Sequence, residues 1–180
     1  MSLPHILLGM LHQPASGYQL KQDFSQSLRH FWFADLAQIY PTLHKLEHKG
    51  QVRSQSVASD KGPPQRVYRR TADGTKALQC WVSDDPITGR ERFPYLAQIM
   101  FLGENADRSA QIRYFEKLCE FFESKVAALK AIDADWRGKA KPEDFADEDL
   151  FPWFTLDVGI VRNEATVRWC RRSLELIRNR

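Results

Sequence analysis

The sequence predicts a mainly α-helical chain with one small β-hairpin, divided into two modules. Three observations carry that prediction. Between Asp35 and Gly50, Ile39, Leu43 and Leu46 recur at helical spacing, with a capping-box start at Asp35 and Gln38 and a natural stop at Gly50. Directly after it come a polar strand, a turn from Lys61 through Gly62, Pro63 and Pro64, and a basic strand from Arg66 to Arg70. Beyond residue 93 the pattern changes to long apolar seams with steps of three and four, the mark of packed helices.

The elements that precede the capped helix fit it. Ile6, Leu7, Leu8, Met10 and Leu11 read as an apolar first helix closed by Pro14. Ser16 with Gln19 is a second capping-box-like start, opening a helix that runs through Tyr18, Leu20, Lys21 and Phe24. The connector from about Ser27 to Ala34 contains Leu28, Phe31, Trp32 and Phe33, which read as core filler or as part of a contact with a second copy. The helix from Asp35 to Gly50 turns Gln38, Tyr40, Thr42, His44, Lys45, His48 and Lys49 outward, groups that can donate to phosphates and base edges. Two helices joined in this way, followed by a hairpin with a basic return strand, define a winged helix-turn-helix, a fold that reads double-stranded DNA.

The first module ends near Val82, and residues 83–92 form a polar linker broken by Pro86 and Gly89. A dense apolar segment spans Phe93 to Leu102. Ile112, Phe115, Cys119, Phe122, Val126 and Leu129 then make a heptad seam. Gly138 to Asp144 reads as a loop, with the acidic run to Asp149 as its solvated continuation. In the last helix Trp153, Leu156, Ile160, Asn163, Val167, Cys170, Leu174 and Ile177 repeat the spacing. Asn163 is its one polar member, either a device that fixes register or an Asn at the edge of an ordinary helix. Val158, Val161, Ala165 and Trp169 form a second stripe, so this helix is expected to pack on two sides.

Composition excludes several functions. The chain has 180 residues, and no apolar run is long enough to cross a bilayer. No cationic region with a following apolar segment and small-residue cleavage site stands at the N-terminus, which predicts a cytoplasmic location. The net charge of +3 conceals an asymmetry, because residues 1–82 carry ten Lys and Arg against five Asp and Glu, and all five His. Cys80, Cys119 and Cys170 are widely spaced and read as buried reduced thiols. His44 and His48 lie four apart, but no third ligand stands nearby, so they are assigned to the DNA-facing surface and no metal or cofactor is expected. Phosphate-loop, dinucleotide and H-E-x-x-H motifs are absent, as is a nucleophile elbow, which argues against an enzyme. The competing reading is a winged helix used for protein contact, and the polar face from Gln38 to Lys49 argues against it.

These residues resemble the PadR family of bacterial transcriptional regulators. The resemblance runs through Ile6 to Leu11, Ser16 to Lys21, Gln38 to Glu47, Gly62 to Tyr68 and Thr71 to Leu78. The position before Thr71, usually aliphatic in this pattern, is Arg70, which is read as one more positive charge beside DNA. The C-terminal half is similar to the virulence-activator helical domain of the longer subfamily. The resemblance implies DNA binding through Gln38, Tyr40, Pro41, His44 and Lys45 on the reading helix and Lys61, Arg66 and Arg69 on the wing. It implies a homodimer, for which the seam residues Phe115, Phe122, Leu156, Ile160, Asn163, Val167 and Leu174 are the candidates. The expected division is a DNA-binding domain over 1–82 and a helical dimerisation and effector domain over 93–180. The implied regulator is a repressor on an inverted repeat, released by an effector. Small aromatic effectors are known in the family, and Phe93, Tyr95, Phe101, Trp153 and Trp169 are candidate cavity residues, with the hydrophobic core as their alternative use.

Overall fold

A computed structural model of the chain describes residues 2–28, 30–59, 62–89 and 91–180. It forms two compact units, Met1–Thr88 and Gly89–Arg180. The first unit orders α1 (Leu3–Met10), β1 (Ala15–Ser16), α2 (Gly17–Ser27), α3 (Leu36–His48), β2 (Val52–Ser59), β3 (Gly62–Arg70) and α4 (Ala72–Ser83). The three strands form an antiparallel sheet in the order β1-β3-β2. Leu7, Leu8, Leu20, Ile39, Leu43 and Tyr68 are fully buried at its centre, the aliphatic side chains each contributing roughly 1.5–3 kcal/mol by leaving water.

Local chemistry sets the ends of α3. The Asp35 carboxylate accepts from the Gln38 amide at 2.9 Å, and the Gln38 side chain accepts from the Asp35 amide at 3.3 Å, a complete capping box. Gly50 closes the helix at a φ of 69°, the left-handed region in which a Cβ is unfavourable. The start of α2 is half of the same device, with Ser16 accepting from the Gln19 amide at 3.2 Å. The aromatic connector divides its work. Leu28 and Trp32 pack on the core, whereas Phe31 and Phe33 are exposed.

One sequence expectation in this unit is revised. Arg70 does not face outward. It stands opposite Val52 on the core side of the sheet and donates through Nη1 to the Leu8 carbonyl at 2.9 Å, so its long stem replaces an aliphatic side chain while its head satisfies the end of α1. Helix α4 continues to Ser83, and Thr71 caps its start by accepting from the Gly74 amide at 3.1 Å.

The second unit comprises α5 (Pro94–Phe101), α6 (Arg108–Arg137) and α7 (Asp147–Arg178). Helices α6 and α7 are antiparallel: Asp133 accepts from the Trp153 indole at 2.7 Å, Lys130 pairs with Glu164 at 2.6 Å, Glu123 with Arg171 at 2.6 Å, and Glu116 with Arg178. The acidic run is not loop. Asp147, Glu148 and Asp149 form the first turn of α7, where the helix dipole favours carboxylates. No helix among the described residues is long and apolar enough to cross a membrane.

Candidate nucleic-acid interface

Helix α3 has its apolar residues on one side, and the polar side lies in solvent. Ile39, Leu43 and Leu46 are buried, and Gln38, Pro41, His44, Lys45, His48 and Lys49 are exposed. At 100° per residue, Ala37, Pro41, His44 and His48 make the outermost line, with Gln38 and Lys45 on one flank. Pro41 has no N–H and cannot donate to the Ala37 carbonyl, so it leaves a backbone acceptor on this face. Tyr40 lies on the opposite flank against the start of α2. A Cβ at Gly17 would stand 2.5 Å from the Tyr40 ring, so Gly17 allows the two helices to meet there. The ring remains 37% exposed and bridges the start of α2 and the reading face.

The wing is the hairpin of β2 and β3. Lys61, proposed from the sequence as a wing cation, lies outside the described residues. The other two wing arginines face opposite ways, because successive strand residues alternate sides and positions 66 and 69 differ by an odd number. Arg66 shares the α3 side with Ser54 and Tyr68. Arg69 stands opposite Arg53 on the outer side. Neither Arg53 nor Arg69 makes an ion pair among the described residues, and together with Pro14 they line an open basic groove. Arg53 escaped the sequence analysis because its importance depends on the strand register, which the local pattern does not state.

Arg66 is not a free cation. Its Nη2 donates to Glu47 Oε2 at 2.7 Å and its Nε to Ser54 Oγ at 2.7 Å. Ser54 gives both its hydroxyl, at 2.6 Å, and its amide, at 3.1 Å, to Glu47 Oε1. The Ser54 hydroxyl bond chiefly, with Arg66 beside it, holds the Glu47 carboxyl below its usual range. The guanidinium lies 5.6 Å from the Tyr68 ring centre. Among the described residues no group of His, Cys, Asp and Glu could hold a metal ion.

In the second unit, the seam residues named as dimer candidates are spent inside the chain. Phe115, Phe122, Leu156, Ile160 and Val167 are buried between α6 and α7, Leu174 is half-buried, and the Asn163 amide donates to Gly159 in its own helix at 2.6 Å. Heptad spacing shows that a face is covered but not by which helix. Except for Phe101, the candidate cavity aromatics serve as core, in two separate clusters, with Phe93 edge-on to Tyr95. Trp153 packs with Leu129, Leu156 and Ile160, Tyr95 and Trp169 pack with Cys119, Phe122 and Cys170, and Phe101 is exposed. The second stripe is the free one: Val158, Val161 and Ala165 are exposed, extended at the same spacing by Phe151 and Phe154.

A three-helix core, a capped and solvent-facing α3, and a hairpin wing define a winged helix-turn-helix protein, here with a helical hairpin as second unit. The model of the transcriptional regulator PadR-like family matches residues 6–80, and that of the virulence activator alpha C-terminal domain matches residues 84–178. The chain belongs to the PadR-like family of transcriptional regulators, in the form that carries this C-terminal domain. A probable transcriptional regulator of Mycobacterium tuberculosis is 36% identical over 85 residues, 47% of this chain and 45% of that protein, so the chain matches less than half of that relative's length. The negative transcriptional regulator PadR of Bacillus subtilis is 24% identical over 97% of both chains. Its crystal structure with operator DNA superposes with a TM-score of 0.84 at 22% identity, covering 98% of this chain and 99% of that one. Its complex with p-coumaric acid gives 0.76 at 24%, covering 97% and 94%. The virulence activator AphA of Vibrio cholerae gives 0.75 at 24% over 99% of both.

Proposed function

We propose that this regulator is a repressor that binds an inverted-repeat operator in the cytoplasm as a homodimer. The observation that carries the reading is the α3 face, capped at both ends, free of intrachain ion pairs at His44, Lys45, His48 and Lys49 among the described residues, and polar along its length. Gln38 and His44 read base edges in the major groove, Lys45 neutralises a phosphate, and Tyr40 and Pro41 shape the approach. Lys61, which the sequence puts between the two wing strands, and Arg69 with Arg53 on the wing's outer side add backbone contacts that fix orientation rather than sequence. Two reading helices about one DNA turn apart, roughly 34 Å, prefer an inverted repeat. The Bacillus relative with operator DNA supports this reading, and its p-coumaric acid complex supports a small aromatic effector that releases the operator here too.

The second copy covers the free stripe of α7, from Phe151 and Phe154 to Val158, Val161 and Ala165. The test is binding to a duplex selected by the protein from a random library. Lys45→Ala should weaken binding to every duplex and flatten the salt dependence by about one counterion. Gln38→Ala should relax sequence preference, at a cost of about 1–3 kcal/mol in discrimination. If both variants match the parent on the selected duplex, α3 is not the reading helix.

A further inference from the structure

The four-bond cluster of Glu47, Ser54 and Arg66 lies where the reading helix meets the wing. Glu47 is on α3 and the other two are on β2 and β3, so one carboxylate ties a helix to two strands. Arg66 is the central residue of the basic strand, and by sequence it would be taken for a phosphate contact. Two of its five N–H donors are held by Ser54 and Glu47, and the Glu47 carboxylate at 2.7 Å already compensates its charge. Drawing Arg66 away from Glu47 would leave a bare carboxylate on the helix that approaches DNA, where it would repel the phosphates. His44 and His48 line the open groove beside this pair, so the ion pair lies at the edge of the reading face.

Building on the DNA-binding reading, we propose that Glu47 is a positioning residue: it sets the wing against the reading helix and holds Arg66 as a structural cation, not a phosphate contact. Sequence preference then depends on Glu47 although it touches no base. The fixed clamp decides where the wing lies when α3 is seated, and a loose wing can accept more than one register on the duplex.

The consequence for salt dependence is specific. In the parent, Arg66 releases no counterion on binding. Freed from Glu47, it becomes available to a phosphate and adds about one unit to the slope. The experiment measures binding of the full chain to its selected duplex and to a shuffled duplex of equal composition, over a series of salt concentrations. Glu47→Gln should bind the shuffled duplex more tightly, with a slope steeper by about one unit, and should discriminate less between the two. Lys45→Ala lowers the slope by about one unit, whereas the double variant Glu47→Gln with Arg66→Gln, which removes the pair and leaves no bare carboxylate, should keep the parent slope. In the protein without DNA, Glu47→Ala should speed hydrogen exchange at the Ser54 amide.

A double variant whose slope is shallower than the parent's by about one unit, or Ser54 exchange in Glu47→Ala no faster than in the parent, overturns the proposal. A parent that binds no duplex overturns the DNA reading instead, and the exchange measurement alone then decides whether Glu47 positions the wing.

Discussion

Tyr68 and the three cysteines show how far burial changes the meaning of a residue. Tyr68 is fully buried between the sheet and α3, and among the described residues its hydroxyl has no hydrogen-bond partner. Burial is also what pushes its phenol above the usual range. An unpaired buried hydroxyl costs about 1–3 kcal/mol, so Tyr68→Phe should be more stable than the parent by about 1 kcal/mol, measured by denaturant unfolding. A destabilised variant would mean that the hydroxyl is bonded in solution. The cysteines divide in a similar way. Cys119 and Cys170 are buried and Cys80 is exposed, a correction to the expectation that all three are sequestered. Burial raises both inner thiols, Cys170 to about 11, which removes the thiolate on which reactivity depends. A thiol reagent at neutral pH should therefore modify one cysteine rapidly in the native protein and all three after unfolding, and mass spectrometry should locate the fast one at Cys80.

Among the elements, α7 carries the decisive assignment. One of its faces is occupied by α6 through Trp153, Leu156, Ile160, Val167 and Cys170. The adjacent line of Phe151, Phe154, Val158 and Val161 is about half exposed. Apolar surface of that continuity is uncommon on a monomer and marks an interaction face. Val158→Glu should leave the fold within about 0.5 kcal/mol of the parent, because its site is already solvated, while shifting sedimentation from dimer to monomer. Phe122→Ala acts on the covered face and should instead cost about 3–5 kcal/mol of stability. If Val158→Glu stays dimeric, the second copy sits elsewhere. The two variants together separate the face that builds the helical hairpin from the face proposed to pair two chains.

For the molecule as a whole, acid should be the sensitive direction. Glu47 in the first unit and Glu123 in the second have carboxyls held below the usual range, the first chiefly by Ser54 and the second chiefly by Arg171. A lowered folded value means that the stabilisation is present above the unfolded range and is lost as pH falls through the folded value. Above neutrality these groups change nothing. Unfolding midpoints should therefore be flat from neutral pH down to the ordinary carboxylate range and fall below it. The Glu47→Gln variant should lose part of that fall in the first unit and none in the second. Amide exchange resolved by unit measures both. A midpoint that instead declines toward alkaline pH would assign the linkage to other groups.

Much of this protein is legible in its sequence, and the reason is range. The capping box of Asp35 and Gln38, the stop at Gly50 and the inward line of Ile39, Leu43 and Leu46 are settled by residues within one or two helical turns of each other. So are the order helix, hairpin, basic strand and the existence of long seams after residue 93. What needed the tertiary structure is partner choice between segments distant in the chain. Arg66 and Arg69 read alike as basic residues, yet strand alternation sends one to Glu47 and the other to the outer side with Arg53. Arg70 reads as surface charge and instead reaches Leu8, sixty-two residues away. The seam residues read as an interface between chains and are covered by the neighbouring helix of the same chain. A period of three and four records that a face is buried, because burial selects apolar side chains whatever covers them. Which surface does the covering is a property of three-dimensional packing, and it decided here which stripe of α7 stays exposed.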